Sequence, residues 1–328
     1  MSAIQVLHDF TFTYEKGTVW GTATGSAPAG IPTENMEINI EPIAHEVMRA
    51  YGFRGTVEDN RWQESSLSIP TANFVGPVVP QLMKDLLPCL LQSSASYSPA
   101  GSVYTMFTKN YSALPNPANG EGTFVTLVRN SPIAGQDVVL NSAVVKSLKL
   151  TCDVKNDNAV LNGTWDFIGK GYSKSATQAG TITNIPLTNM YRFSNLGLAE
   201  LDGSSLLSSL VSFEINITNN AKFVNDLPVG GVVFPKWEVT GNFKVIANSA
   251  TQGFKDLVLA SNPSTSKELN FSFGDAAVTS AGEMNITSQV YLTKYTSDYA
   301  EGEVITFDFA GVFDAASTKF PIEFSFYA

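Results

Sequence analysis

The side chains that could do chemistry in this chain are few. His8 is followed by Asp9, but neighbours in a strand point to opposite faces, so they cannot act as a base and the group that orients it. A surface pair is expected. Glu41 and His45 stand four apart, which on a helix would set two metal ligands on one face. Pro42 puts Glu41 at or before the helix start, and no third ligand accompanies the pair, so a helix-start carboxylate and a solvated imidazole are expected. Gly169-Lys170-Gly171 has neither the spacing nor the following helix of a phosphate loop and reads as a strand end. The patterns G-x-S-x-G, H-E-x-x-H and Walker A do not occur in the sequence. Five Asn-x-Ser/Thr triplets, at Asn110, Asn162, Asn216, Asn270 and Asn285, are expected to be chance in a chain rich in these residues, because its opening "MSAIQVLHDF" does not have the basic-then-apolar order of a secretory signal and export is not expected. Trp62 and Trp237 could stack a sugar, but their alternating neighbours point to core positions. The reading yields no catalytic residues, cofactor or metal site, and no enzyme is expected.

The elements that would position any site are strands. Apolar residues alternate with Thr, Asn, Lys, Asp or Glu at Phe10-Phe12-Tyr14, Leu148-Leu150-Cys152, Phe213-Ile215-Ile217, Leu269-Phe271-Phe273 and Ile305-Phe307-Phe309. Hairpin chemistry separates such runs at 15–17, Asn162-Gly163 and 301–303. Helices are expected at 79–92, where Pro88 must end or kink the helix, at 251–261, and at 42–52, which has Pro42 early and Gly52 at its end. At 328 residues and 44% hydrophobic content, the chain can bury a sizeable core as one large β domain or two smaller ones. No apolar run reaches the roughly 20 residues needed to span a bilayer. Cys89 and Cys152 are expected as buried free thiols in a reducing compartment. Twenty basic residues against 30 acidic give a formal charge of −10, and no dense basic patch is present to grip nucleic acid.

The letters "EINI" occur twice, in "NMEINIEP" at 35–42 and "SFEINITNN" at 212–220. Around them the same order of elements is expected twice. The first set is a hairpin (9–25), the "MEINI" strand, a strand opened by Arg61-Trp62-Gln63, the helix from 79, and strands near 103–109 and 123–129. The second is a hairpin (146–171), the "FEINI" strand, a strand opened by Lys236-Trp237-Glu238, the helix from 252, and strands near 267–273 and 284–294. The expectation is an internal duplication with modules at 1–135 and 136–328. Strands at 303–309 and 323–327 and a helix at 42–52 lack counterparts, and a single domain decorated by residues 1–135 is the alternative.

The strings "ENMEINIEP", "GFRGTVEDNRWQESSLSIP" leading into "VPQLMKDLLPCLL", "SAVVKSLKLTCDVKNDNAVLNGTWDFIGKG" and "LVSFEINITNNA" with "KWEVTGNFKVI" resemble the tail tube proteins of long-tailed bacteriophages over most of the chain. The resemblance implies a structural virion protein made in the host cytoplasm and resident in the tail. It implies β-sandwich or half-barrel modules with a short helix, whose hairpins join into a closed inner β-barrel. Rings of that barrel stack into a tube that conducts DNA. Implied partners are further copies of the chain, a tape measure protein, and tail terminator and baseplate proteins. A ring of six modules, as in single-module members, would need three double-module chains, and six chains otherwise.

An acidic lumen would repel phosphates and let DNA slide. Glu214, Glu238, Asp308, Glu301 and Glu303 are the lumen-facing candidates. The polar stretch from Tyr172 to Asp202 is too long for a hairpin and is expected to contact a neighbouring subunit or ring, with Tyr191 and Phe193 as anchors. The competing reading is a surface β-sandwich that binds a partner or carbohydrate through Trp20, Trp62, Trp165 or Trp237.

Overall fold

A computed structural model describes residues 10–17, 19–20, 27–46, 63–91, 96–97, 103–107, 123–133, 135–154, 159–176, 181–187, 189–224, 231–259, 266–275, 277–299, 303–314 and 319–328. The fold is mainly β, with two α-helices among the described residues, α1 (Pro80–Leu91) and α2 (Ser249–Leu259). Period-two alternation drives the strands: Phe213, Ile215 and Ile217 are buried, while Glu214, Asn216 and Thr218 between them are only partly so. The same alternation turns Trp165 and Phe167, Phe243 and Val245, and Ile305, Phe307 and Phe309 into the core.

Nineteen of the described strands form one hydrogen-bonded network. Its spine is eight antiparallel strands. Across the sheet these are Met36–Glu46, Gln63–Pro77, Asn162–Ile168, the second half of Asp137–Asp153, Leu210–Thr218, Glu238–Ile246, Val304–Gly311 and the second half of Met284–Asp298. The first four and the last four follow one plan. A hairpin is followed by a helix, and a second hairpin then lays its outgoing strand beside the first. The remaining strands obey the same plan. The first half of Asp137–Asp153 pairs with Val125–Asn130 and Gly171–Ala176, and Val125–Asn130 pairs with Thr11–Lys16. The first half of Met284–Asp298 pairs with Lys267–Phe273 and Glu323–Tyr327, and Lys267–Phe273 pairs with Leu196–Leu201.

The correspondence reaches single residues. One ladder shifts register between Val145 and Ser147, opposite Phe167 and Asp166; the other shifts between Leu292 and Lys294, opposite Phe309 and Asp308. An extra residue at one point bends and twists a strand locally, so a shared bulge gives both hairpins the same bend. Ile38 faces Ala72, which faces Phe167; Ile215 faces Gly241, which faces Phe309. The two "EINI" segments thus occupy one register.

Three expectations change here. The hairpin at 146–171 matches 284–311 rather than 9–25, so the strand at 304–311 has its counterpart in 162–168. A boundary after residue 135 would fall in the turn between Val125–Asn130 and Asp137–Asp153, which are paired. The helix expected at 42–52 is strand as far as Glu46, pairing with Gln63 to Ile69; residues 47–52 lie outside the described set. Pro42 is compatible with that strand because its sole partner among the described strands is Gln63–Pro77, leaving one edge free of ladder bonds.

Both helices cover the apolar side of the spine. In α1, Leu82, Met83, Leu86, Leu87 and Leu90 are buried, and Pro88 sits inside the helix three residues before its end. Its buried Asp85 accepts hydrogen bonds from Tyr14 Oη (2.7 Å) and Gln81 Nε2 (2.6 Å) and pairs with Lys16 Nζ (2.6 Å). That network fastens α1 to Thr11–Lys16. A helix leaves its last carbonyls without internal partners. At the end of α1, Leu90 O accepts from Asn219 Nδ2 (2.9 Å) and Trp237 Nε1 (3.1 Å), both from the second half of the chain. In α2, Phe254 meets Phe307 edge-on at 5.9 Å.

Candidate assembly surface

The side of the spine away from the helices is a mostly polar lattice, with Val75 and Ile246 as exposed apolar members. Cross-strand partners line up in rows, because residues opposite one another in a sheet share a face. One row runs Glu37, Asn73, Asp166, Ser147, Thr218, Glu238. A second runs Val75, Thr164, Lys149, Asn216, Thr240, Ala310, polar in the middle and apolar at both ends. A third runs Thr151, Glu214, Asn242, Asp308, Lys294. Charge on this face leans acidic, with Glu37, Asp153, Asp166, Glu214, Glu238, Asp298 and Asp308 against Lys149, Lys244 and Lys294.

Glu214, Glu238 and Asp308 stand on this face. Partial burial works against the Glu214 carboxylate, but hydrogen bonds from Lys149 and Asn216 and the charges of Lys149 and Lys244 outweigh it and hold its carboxyl below the ordinary range. Lys149 Nζ lies 2.8 Å from it. Glu238 is held low by the hydrogen bond and charge of Lys236. Glu303 is a different case: its carboxylate pairs with Lys255 Nζ of α2 at 2.8 Å, on the side of the sheet that the helix covers. It does not join the polar lattice. Glu301 lies outside the described residues.

One of the two loop anchors is placed differently from the expectation. Tyr191 is fully buried, its ring 5.7 Å from that of Phe273, and desolvation drives its phenol pKa up. Its carbonyl accepts Leu161 N–H at 2.8 Å, and Phe193 N–H bonds Ala159 O at 2.6 Å, so this segment is stitched to its own chain. Phe193 is half-buried against the core. Tyr191 is therefore spent inside the fold and unavailable to a neighbour.

The other chemical candidates disperse. Glu41 and His45 lie on one strand, where four residues span about 13 Å rather than one helical turn. His8 and Asp9 lie outside the described residues, and among the described residues no group of three His, Cys, Asp or Glu is placed to hold a metal. Trp165 is wholly buried, Trp237 donates to Leu90 O, and Trp20 packs edge-on against Phe124 at 5.2 Å. Trp62 lies outside the described residues. A cavity of about 410 Å³ between the start of α1 and the chain's last residues is lined by Val79, Pro80, Ile185, Pro186 and Tyr327, without charged groups converging on it. No helix among the described residues is long and apolar enough to cross a membrane.

The sequence reading missed the two edges of the spine. Met36–Glu46 pairs, among the described strands, with Gln63–Pro77 alone, and residues 291–298 pair with Val304–Gly311 alone. It also passed over a signal for the equivalence of the second hairpins: "TWDFIG" at 164–169 against "TFDFAG" at 306–311. A comparison with curated proteins finds no significant match. A family model described as phage tail tube protein matches residues 12–320, nearly the full length, and the chain belongs to that family.

Proposed function

We propose that this chain, a structural protein of the virion tail, closes edge to edge into three-chain rings that stack into the DNA-conducting tube, with the polar lattice lining the lumen. One observation carries this reading: the eight-stranded spine ends in two antiparallel strands whose outer edges have no partner among the described strands. Ring closure removes such edges, which otherwise template uncontrolled pairing. The alternating directions of the spine set its last strand antiparallel to the first strand of a following copy. Each chain would contribute two four-strand modules, spanning about 11–176 and 196–327, and the fusion turns every second seam into an intramolecular contact.

Geometry favours three chains over six. With strands about 4.8 Å apart and tilted by about 40°, three spines close a barrel roughly 48 Å across at the backbone, and six a barrel of roughly 96 Å. The smaller barrel admits a double helix without leaving a wide annulus around it. Its wall would be acidic and rich in Thr, Ser and Asn, offering DNA little counterion-release affinity. The tape measure, tail terminator and baseplate proteins are the expected further partners.

Electron microscopy of the purified protein is the test. Stacked rings with three chains and pseudo-sixfold symmetry are expected. Six chains per ring would overturn the stoichiometry. A strictly monomeric mass at high concentration, together with retention of a glycan on an array, would favour the surface-binding alternative.

A further inference from the structure

The chain contains an internal seam that is a template for the seam between chains. Inside the spine, the first module's last strand meets the second module's first strand, with Ser147 opposite Thr218, Leu148 opposite Ile217, Lys149 opposite Asn216 and Thr151 opposite Glu214. The shared bulge makes Ser147 equivalent to Lys294 and Lys149 to Thr296. The shared "EINI" register makes Thr218 equivalent to Glu41 and Asn216 to Asn39. We infer that the inter-chain seam has one register, in which Lys294 stands opposite Glu41, Tyr295 opposite Ile40, Thr296 opposite Asn39, Ser297 opposite Ile38 and Asp298 opposite Glu37 of the next copy. This rests on the ring reading above and goes beyond it by fixing which residues meet.

Three observations support the register. Faces agree: Glu37 and Asn39 are exposed and Ile38 is buried on one edge, while Lys294, Thr296 and Asp298 are exposed and Tyr295 packs toward Phe307 on the other. A one-residue slip would set exposed polar side chains against buried apolar ones. Charge separates the remaining choices, because only this alignment puts Lys294 directly opposite Glu41 along the strand; a two-residue slip puts it opposite Asn39 or Ile43. Finally, helix ends differ in the way an unmet seam requires. Asn219 and Trp237, which flank the internal seam, cover the end of α1, whereas Leu259 at the end of α2 is 64% exposed. The alignment has one unfavourable pair, Asp298 opposite Glu37, at the far end of the described seam.

Cysteine pairs read the register directly. Residues directly opposite in a sheet have Cα atoms about 4.5–5.5 Å apart, within the disulfide range, and diagonal neighbours lie about 7–8 Å apart, outside it. The native thiols Cys89 and Cys152 are buried. The test compares assembled full-length protein carrying Asn39→Cys with Thr296→Cys, the slipped pairs Glu37→Cys with Thr296→Cys and Asn39→Cys with Asp298→Cys, and the internal control Lys149→Cys with Asn216→Cys. On oxidation the first pair should shift the monomer band to covalent dimer and trimer on a non-reducing gel, and the slipped pairs should not. The internal control should close without changing mass. Tubes visible by microscopy in which a slipped pair links and the predicted pair does not would overturn the register while leaving the ring intact. Absence of any ring or tube in the unmodified protein would overturn both. Charge exchange gives a second measure: Lys294→Glu should abolish assembly, and adding Glu41→Lys should restore it. Failure of that rescue, in variants whose circular dichroism matches the parent, would count against the Lys294–Glu41 pair.

Discussion

Replacing Asn219 should weaken the join between the two halves of the chain. The residue is fully buried; its Nδ2 donates to Leu90 O at 2.9 Å and Val145 O at 2.8 Å, and its Oδ1 accepts Ala221 N–H at 3.0 Å. In Asn219→Ala, Leu90 O keeps the Trp237 indole at 3.1 Å, but Val145 O and Ala221 N–H lose the Asn219 amide as a partner inside the protein. Each buried group so stripped costs about 1–3 kcal/mol, so a loss of roughly 3 kcal/mol is expected. With a urea slope near the upper value for small proteins, about 3 kcal/mol/M, the midpoint should fall by about 1 M. Asn219→Asp separates hydrogen bonding from packing, since it keeps the volume but turns an acceptor toward two carbonyls. Its carboxyl should bind a proton more tightly in the fold than in the unfolded chain. The penalty should therefore be small below the unfolded value of about 3.9 and grow as pH rises toward the folded value. Urea titrations at pH 4 and pH 7, followed by tryptophan fluorescence at concentrations where the protein is monomeric, measure both. A midpoint within about 0.2 M of the parent for Asn219→Ala, or a pH-independent Asn219→Asp, would refute the reasoning.

Gly241→Ala should destabilise by about 2 kcal/mol in the same titration, because a Cβ there would meet Glu214 O at 2.2 Å and the Phe309 ring at 2.5 Å, forcing the central strands apart. Glu214→Gln should change stability by less than about 1 kcal/mol at pH 7, as the pair with Lys149 is partly exposed. Because the fold holds the Glu214 carboxyl low, its contribution is present above the unfolded pKa of about 4.3 and disappears as pH falls through the folded value; acid titrations of parent and variant should converge there. Burial pushes the thiols of Cys89 and Cys152 up to about 12, so a thiol reagent at pH 8 should leave the native protein unlabelled and modify both residues in urea.

Where one face of a strand is buried, the fold was legible. Lys267–Phe273 and Glu323–Tyr327 begin and end where alternation places them, since period two is a direct consequence of the pleat. The segment at 42–46 was misread because Pro42 has two meanings, a first helical residue or a residue on a free sheet edge, and only pairing partners tell them apart. Tyr191 was misread for a related reason. Its neighbours carry the composition of a surface loop, while its burial comes from Phe273, some eighty positions along the chain. The cross-strand rows could not be read at all, because they depend on register between strands such as Asn162–Ile168 and Gln63–Pro77 that are far apart in sequence.

The matched order of strands in the two halves shows why a short repeated string was informative here. "EINI" alone has too few letters to argue descent, and the flanking residues diverge: Thr218-Asn219 in the second copy stands where the first has Glu41-Pro42. What is kept is physical, namely the bulge at Val145–Ser147 and Leu292–Lys294, the aromatic pairs Trp165–Phe167 and Phe307–Phe309 opposite it, and the polar side chains between them. Those are the features that set strand curvature and face, and a closed barrel requires both to repeat at each step around the ring. The residues that differ lie where the two seams would differ. Asn219 serves a permanent internal join by capping α1 from within the same chain. In the proposed ring, Glu41 and Lys294 would hold the matching positions at the edges that meet between chains, and opposite charges suit that task because they favour one register over its two-residue slips and act before the strands touch.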